Sequence, residues 1–312
     1  MSAIKRRLIL TLLVMLVILA VMFSTVTRSH LKRQERIILG AKDTTGQIIS
    51  EVLALVLRDR TNLMFEVKPA YDGTFICLNA LNSNEIDLYI EYTGTALSSI
   101  LHKDYWELPE GKTLEFLNEE FSRRFALEWM PPVGFEAAYV ILARPDFAEK
   151  HGLKTLSDLK ALLGKDPKVK VAFDPEFYAR PEEKVLEEGY GMQFKALSLL
   201  DHPLIYLSLV NGAVDIIDGY ATDGFILEHG LVTLEDDQNL FPPYQAAAVV
   251  RQDILKKHPE IRSIFDEISG RITLEKMVEM NYEVENKGKS VYHVAQQFLK
   301  REGLLSHSQK VP

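Results

Sequence analysis

Four tyrosines stand where the chain passes between strand-like runs and loops. Tyr92 closes a run at Glu91-Tyr92-Thr93-Gly94-Thr95, and Tyr139 opens one after the Pro131-Pro132 pair. Tyr220 lies in Gly219-Tyr220-Ala221-Thr222-Asp223-Gly224, and Tyr244 follows Phe241-Pro242-Pro243. A single tyrosine in such a place is ordinarily a core ring whose hydroxyl finds a partner. Four of them beside loop glycines and prolines weaken that account. Ring faces are electron-rich, so rings converging on a cleft attract a cation, above all a quaternary ammonium.

Other chemistries find little support. The eight histidines form no His-x-x-x-His helical pair and have no cysteine cluster beside them, so no metal site is expected. Neither a Gly-x-Ser-x-Gly elbow nor a Gly-x-Gly-x-x-Gly fingerprint occurs. Gly288-Lys289-Ser290 looks like the end of a phosphate loop, but Glu283 stands where its first glycine belongs. The single cysteine, Cys77, falls on the apolar face of a predicted helix and reads as a buried structural thiol. Asp223, Glu235 and Asp236 are the acids that paired acid–base work would draw on, and Asp236-Asp237 is a turn where a cation could sit. An exposed acidic turn explains that pair more simply. No reaction, metal or cofactor is indicated.

The elements that must position the tyrosines alternate along the chain. Strand patterns fall at 36–39, 63–68, 86–92, 139–143, 169–173, 213–217, 231–234 and 246–250. Between them, helical periodicity covers 45–57, 74–81, 157–163, 181–188 and 252–268, and a helical tail runs from 274 to 305. The alternation predicts an α/β protein with mainly parallel sheets. The segments 130–134 and 241–244, each with a proline pair, are the expected points where the chain crosses between two lobes. Tyr92 and Tyr220 would then lie at carboxyl ends of strands, where open α/β sheets hold ligands.

The 312 residues are enough for two ordinary domains, and one cysteine excludes an internal disulfide framework. Residues 1–36 carry a charge of +6, which leaves −14 on residues 37–312. An acidic body argues against nucleic acid as a partner. Lys5, Arg6 and Arg7 precede an apolar run over 8–23 broken only by Thr11, the pattern of a signal peptide or a short membrane anchor reaching to 27. No cysteine follows it for lipid attachment, and no Ala-x-Ala cleavage pattern follows either. The body is therefore expected at the periplasmic or extracellular face of the cytoplasmic membrane.

The stretch Asn84-Glu85-Ile86-Asp87-Leu88-Tyr89-Ile90-Glu91-Tyr92-Thr93-Gly94-Thr95-Ala96-Leu97 resembles the substrate-binding proteins of ABC importers for glycine betaine, choline, carnitine and related quaternary amines. Supporting segments are Gly40-Ala41-Lys42, Lys154-Thr155-Leu156-Ser157-Asp158-Leu159, Asn211-Gly212-Ala213-Val214-Asp215, and the stretches 220–224 and 234–244. The resemblance covers roughly 37–306. It implies a type II periplasmic-binding-protein fold, two α/β lobes joined by two hinge crossings that close on a ligand. The implied division is 37–138 plus 247–312 for one lobe and 139–246 for the other, after the amino-terminal segment 1–36. It also implies a non-enzymatic receptor with no cofactor, which hands a quaternary amine to an ABC permease with its ATPase. Carried over residue by residue, the aromatic cage falls on Tyr92, Tyr139, Tyr220 and Tyr244. Thr95 and Arg180 match the groups that hold a ligand carboxylate.

Two departures from the family pattern stand out. Ala137 occupies the place, two residues before Tyr139, where family members usually carry Asn or Asp. Thr44, Thr45 and Gly46 replace the usual aromatic and acidic residues after the Gly40-Ala41-Lys42 start. The alternatives to an importer receptor are a membrane-tethered sensor domain and an acid-dependent enzyme on the same fold. The chain has no kinase, cyclase or methyl-accepting segment for the former and no catalytic motif for the latter.

Overall fold

The structure is a computed structural model that describes residues 36–305 apart from Ala70, Asp72 and Glu110. The apolar run over 8–23 lies outside the described residues. Among the described residues ten strands form: β1 Arg36–Gly40, β2 Met64–Lys68, β3 Leu88–Tyr92, β4 Leu127–Trp129, β5 Tyr139–Ala143, β6 Val171–Phe173, β7 Leu197–Leu199, β8 Ile216–Tyr220, β9 Val232–Leu234 and β10 Ala246–Arg251. They make two five-stranded sheets, ordered β2-β1-β3-β10-β4 and β7-β6-β8-β5-β9.

The central strands are apolar on both faces because helices cover both sides. Along β3 all five residues are buried, and Ala246 to Val250 of β10 are each 0 % exposed. The helix Thr44–Arg60 packs one apolar face on the first sheet, burying Ile48, Ile49, Val52, Leu53 and Val56. Asp43 starts it as N-cap, its carboxylate accepting from Gly46 N at 2.5 Å. In the second sheet, period-2 alternation divides the core. Ile141, Val171, Phe173 and Ile216 face one side, while Leu142, Ala172 and Ile217 face Ile205, Tyr206 and Leu209 on the other.

The expectation of mainly parallel sheets is corrected. Pairings of β1 with β2 and β3, and of β6 with β7 and β8, are parallel, but β10 and β5 are each antiparallel to both neighbours. Those two strands directly follow the crossings, so each enters its sheet from the opposite end to the strands beside it. The strand expected over 213–217 begins later, because Gly212 at φ 72° and the turn after it end the preceding helix. The helix expected over 252–268 breaks at His258, since Pro259 has no N–H to continue it. The carboxyl-terminal tail is likewise two helices, Leu274–Glu285 and Val291–Arg301. Strands β4 and β7 have three residues each, too few to show alternation in the sequence.

The two crossings run side by side. Glu136 and Gln245 form an antiparallel bridge, Ala137 N donates to Tyr244 O at 2.9 Å, and Ala246 N donates to Phe135 O at 3.2 Å. Gly134 sits on the first crossing at φ 127°, and a Cβ there would come within 2.8 Å of the Gly270 backbone. Side chains are strained at that φ, and backbone does not give way. Gly134→Ala is therefore expected to destabilise the fold by about 2–3 kcal/mol. Urea unfolding followed by circular dichroism would read this as a lower midpoint, and an unchanged midpoint would contradict it.

Candidate functional site

Tyr92 ends β3 and Tyr220 ends β8, so the carboxyl ends of two central strands point at each other across the cleft. Between them lies a cavity of about 490 Å³. Tyr139, at the start of β5, and Tyr244, just before β10, reach it from the two crossings. Thr95 and Arg180 line it as well, so all six residues named from the sequence meet in one chamber.

Tyr139 is in contact with two of the other three rings. Tyr139 lies 4.9 Å from Tyr220 between centroids, tilted by 39°, and 6.2 Å edge-on from Tyr244. The hydroxyls of Tyr139 and Tyr220 are 3.3 Å apart, and the Tyr244 hydroxyl donates to the buried Glu182. Gly94 makes room for this arrangement: a Cβ there would meet the Tyr244 ring at 2.7 Å. Burial pushes the phenols of Tyr92, Tyr139, Tyr220 and Tyr244 upward, so all four rings remain neutral across physiological pH.

Three bonded charge pairs stand beside the rings. Lys42 Nζ lies 4.3 Å from the Tyr92 centroid and pairs with Glu91, whose side chain is fully buried. Glu91 also accepts from Tyr89 Oη at 2.9 Å and from Tyr92 N at 2.7 Å. The guanidinium of Arg180 sits 5.4 Å from the Tyr139 centroid and pairs with Glu176, while its Nε has no partner. His202 Nε2 is 3.6 Å from Asp223, and its ring is 5.4 Å from that of Tyr220. Burial works against charge on His202, but the Asp223 hydrogen bond, with Asp223, Asp174 and Asp218 as charges, outweighs it and raises the pKa.

Asp223 is occupied structurally. It accepts from Tyr220 N at 2.8 Å and from the Tyr206 hydroxyl, which fixes the loop that carries Tyr220. Glu235 and Asp236 do not join it: they line a separate cleft, and Asp236 accepts from Phe241 N at 2.7 Å and from the Tyr190 hydroxyl. Asp237 accepts from Ser157 N at 3.2 Å. Among the described residues, no group of three or more His, Cys, Asp or Glu is placed to hold a metal. Cys77 is buried, and burial pushes its thiol up to about 12.

A family model described as the substrate binding domain of ABC-type glycine betaine transport system matches residues 35–301. The chain belongs to this family. Among its relatives, the carnitine transport binding protein OpuCC of Listeria monocytogenes is 33% identical over 272 residues, 86% of this chain and 87% of that one. The ergothioneine transport permease/ergothioneine binding protein EgtU of Helicobacter pylori (strain G27) is 32% identical over 305 residues. That match spans 96% of this chain and 54% of the relative. A solved glycine betaine/carnitine/choline ABC transporter structure superposes with a TM-score of 0.78 at 27% identity, covering 86% of this chain and all of that one. Lactococcal OpuAC, closed on glycine betaine, matches with a TM-score of 0.57 at 13% identity, covering 86% of this chain and 96% of that one, and speaks for the fold alone. This family member has the type II periplasmic-binding fold.

Several wall residues of the binding protein went unmarked in the sequence: Lys42, Asp43, Glu176, His202, Asn281 and Glu285. Lys42 and Asp43 follow the end of β1, a strand-end position like those of Tyr92 and Tyr220, and that was their available signal. Nothing local marks Asn281 or Glu285, which lie on a helix more than two hundred residues from the Asp43 cap.

Beneath Tyr220, Asp218 is 1% exposed and accepts from Asp174 N at 2.7 Å. Burial, with the Asp174 charge adding to it, raises its carboxyl from 3.8 to about 7. The folded state therefore binds the extra proton between those values, so stability contributed by the neutral acid falls as pH rises from about 4 to 7. Asp218→Asn is expected to flatten that slope and to be more stable than the parent at pH 8 by about 2–4 kcal/mol. Urea midpoints across pH 4–8 check this, and parallel profiles for the two proteins would refute it.

Proposed function

We propose that this binding protein captures a quaternary ammonium solute outside the cytoplasm and delivers it, chemically unchanged, to an ABC permease with its ATPase. The observation that carries this reading is the meeting of Tyr92, Tyr139, Tyr220 and Tyr244, from four separate segments, in one cavity with all four phenols held neutral. A quaternary ammonium offers no N–H, so its site must rely on ring faces and dispersion. Each ring contributes about 0.5–2 kcal/mol. Several rings together supply a large share of the roughly 8 kcal/mol that micromolar binding requires. The names of the Listeria and Helicobacter relatives, carnitine and ergothioneine, support the same head group, since both compounds are trimethylammonium betaines.

In this reading the carboxylate of a zwitterionic ligand meets Arg180, whose Nε is unpartnered, and Thr95. Residues 37–138 with 247–312 move as one lobe against 139–246, and the paired crossings take up the rotation. Ligand contacts drawn from both lobes favour the closed form. The segment 8–27 brings the body to the outer face of the membrane.

Calorimetric titration tests the cage. Tyr220→Ala and Tyr244→Ala are expected to weaken binding of a confirmed quaternary amine at least about tenfold, and the Phe variants less. Arg180→Met should weaken betaine binding more than choline binding, because choline has no carboxylate. If folded Ala variants at all four tyrosines bind like the parent, the cage assignment fails. For localisation, alkaline phosphatase fused after Arg36 is expected to be active in a bacterial host, and an inserted but inactive fusion would overturn the outward placement.

A further inference from the structure

One part of the cavity wall, on the Tyr92 side, carries hydrogen-bond acceptors. We propose that Asp43, Asn281 and Glu285 form a polar subsite for an N–H or O–H donor carried on an arm of the ligand. The preferred solute is then a trimethylammonium betaine with a donor-bearing arm, rather than glycine betaine itself. This deepens the reading of the cavity as a quaternary ammonium site and rests on it.

Charge pairing within the wall is the first argument. The three basic residues, Lys42, Arg180 and His202, are engaged with Glu91, Glu176 and Asp223 respectively. Among the described residues, Asp43 and Glu285 form no ion pair at all. Asp43 accepts from Gly46 N and, at 3.2 Å, from the Tyr92 hydroxyl, and Thr44 bonds Glu285. Burial raises both carboxyls above their ordinary values, against the pull of Lys42 on Asp43 and of the Thr44 bond on Glu285. Glu285 also ends its helix, at the negative end of the helix dipole. A carboxylate would be repelled from this end of the chamber, and a donor would be drawn to it.

Asn281 supplies the second argument. It stands four residues before Glu285, one helical turn away, so the two share a face. Its Nδ2 donates to Thr45 Oγ1 and to Thr222 O, both at 2.8 Å. The Thr222 carbonyl can only accept, which fixes the amide nitrogen on that side. Asn281 Oδ1 is left without a partner in a side chain only 2% exposed. A buried acceptor of this kind needs a donor. The same geometry orients a zwitterion, with its carboxylate toward Arg180 and its arm toward Asn281 and Glu285.

The test is calorimetric titration of the full body with choline, glycine betaine, L-carnitine (a hydroxyl on the arm) and ergothioneine (a ring N–H on the arm). At least one of the last two is expected to bind about tenfold or more tightly than glycine betaine. Glu285→Ala, at the last residue of its helix, and Asp43→Ser, which keeps a capping oxygen, should each reduce that selectivity ratio at least about threefold, with circular dichroism to confirm folding. Glycine betaine binding as tightly as both donor-bearing betaines would overturn the subsite. A selectivity ratio unchanged in folded Glu285→Ala would overturn it too, whatever the fate of Asp43→Ser. If none of the four compounds binds, the quaternary ammonium reading itself falls, and the subsite with it.

Discussion

The antiparallel pairing of the two interlobe connections is the constraint on which the cleft depends. Glu136 and Gln245 bridge them, and each connection continues at once into a central strand, β5 in one sheet and β10 in the other. That continuity sets the polarity of both sheets. It sends β3 and β8 toward the cleft carboxyl end first, with Tyr92 and Tyr220 at their tips. It also seats Tyr139 and Tyr244 on the connections themselves. Two of the four rings thus belong to the segments about which the lobes would turn, and two are carried by the lobes.

Close packing without side chains lets this geometry hold. Gly94 leaves space for the Tyr244 ring, and Gly224 lets the Gly224–His229 helix seat against the backbone of Tyr282. The second of these contacts joins the second sheet's layer to the carboxyl-terminal helix pair. It is reinforced by Asn281 bonding Thr222 O and by Asn286 bonding Glu228. The cleft is therefore bounded by the crossings and also by a helix late in the chain, whose last turn contributes Glu285 to the wall.

Much of this was legible before the structure. The tyrosines were visible because strand ends beside glycine or proline mark the places where an α/β sheet meets ligand, and all six residues named in advance share one cavity. Long strands and helices announced themselves through periodicity. What escaped has a physical cause in each case. Three residues cannot show an alternation, so β4 and β7 were silent. Sheet polarity depends on where a crossing enters, which no local pattern records, so the mixed pairing was missed. Asn281 and Glu285 look like ordinary polar positions on an amphipathic helix, and only tertiary folding brings them to Thr45 and Thr44.

The Lys42 ammonium beside the Tyr92 ring has a consequence for how the four aromatic groups share their work. An aromatic ring has one pool of π electrons, and a cation near it polarises that pool toward itself. Held in place by Glu91, Lys42 draws density permanently from Tyr92, whereas Tyr220 and Tyr244 have no lysine or arginine stationed over them among the described residues. Tyr92 thus enters any encounter with a second cation already partly spent. In the proposed cage the rings are therefore unequal, and the pull on a visiting head group would be directed away from Lys42, toward the rings at β8 and the second crossing.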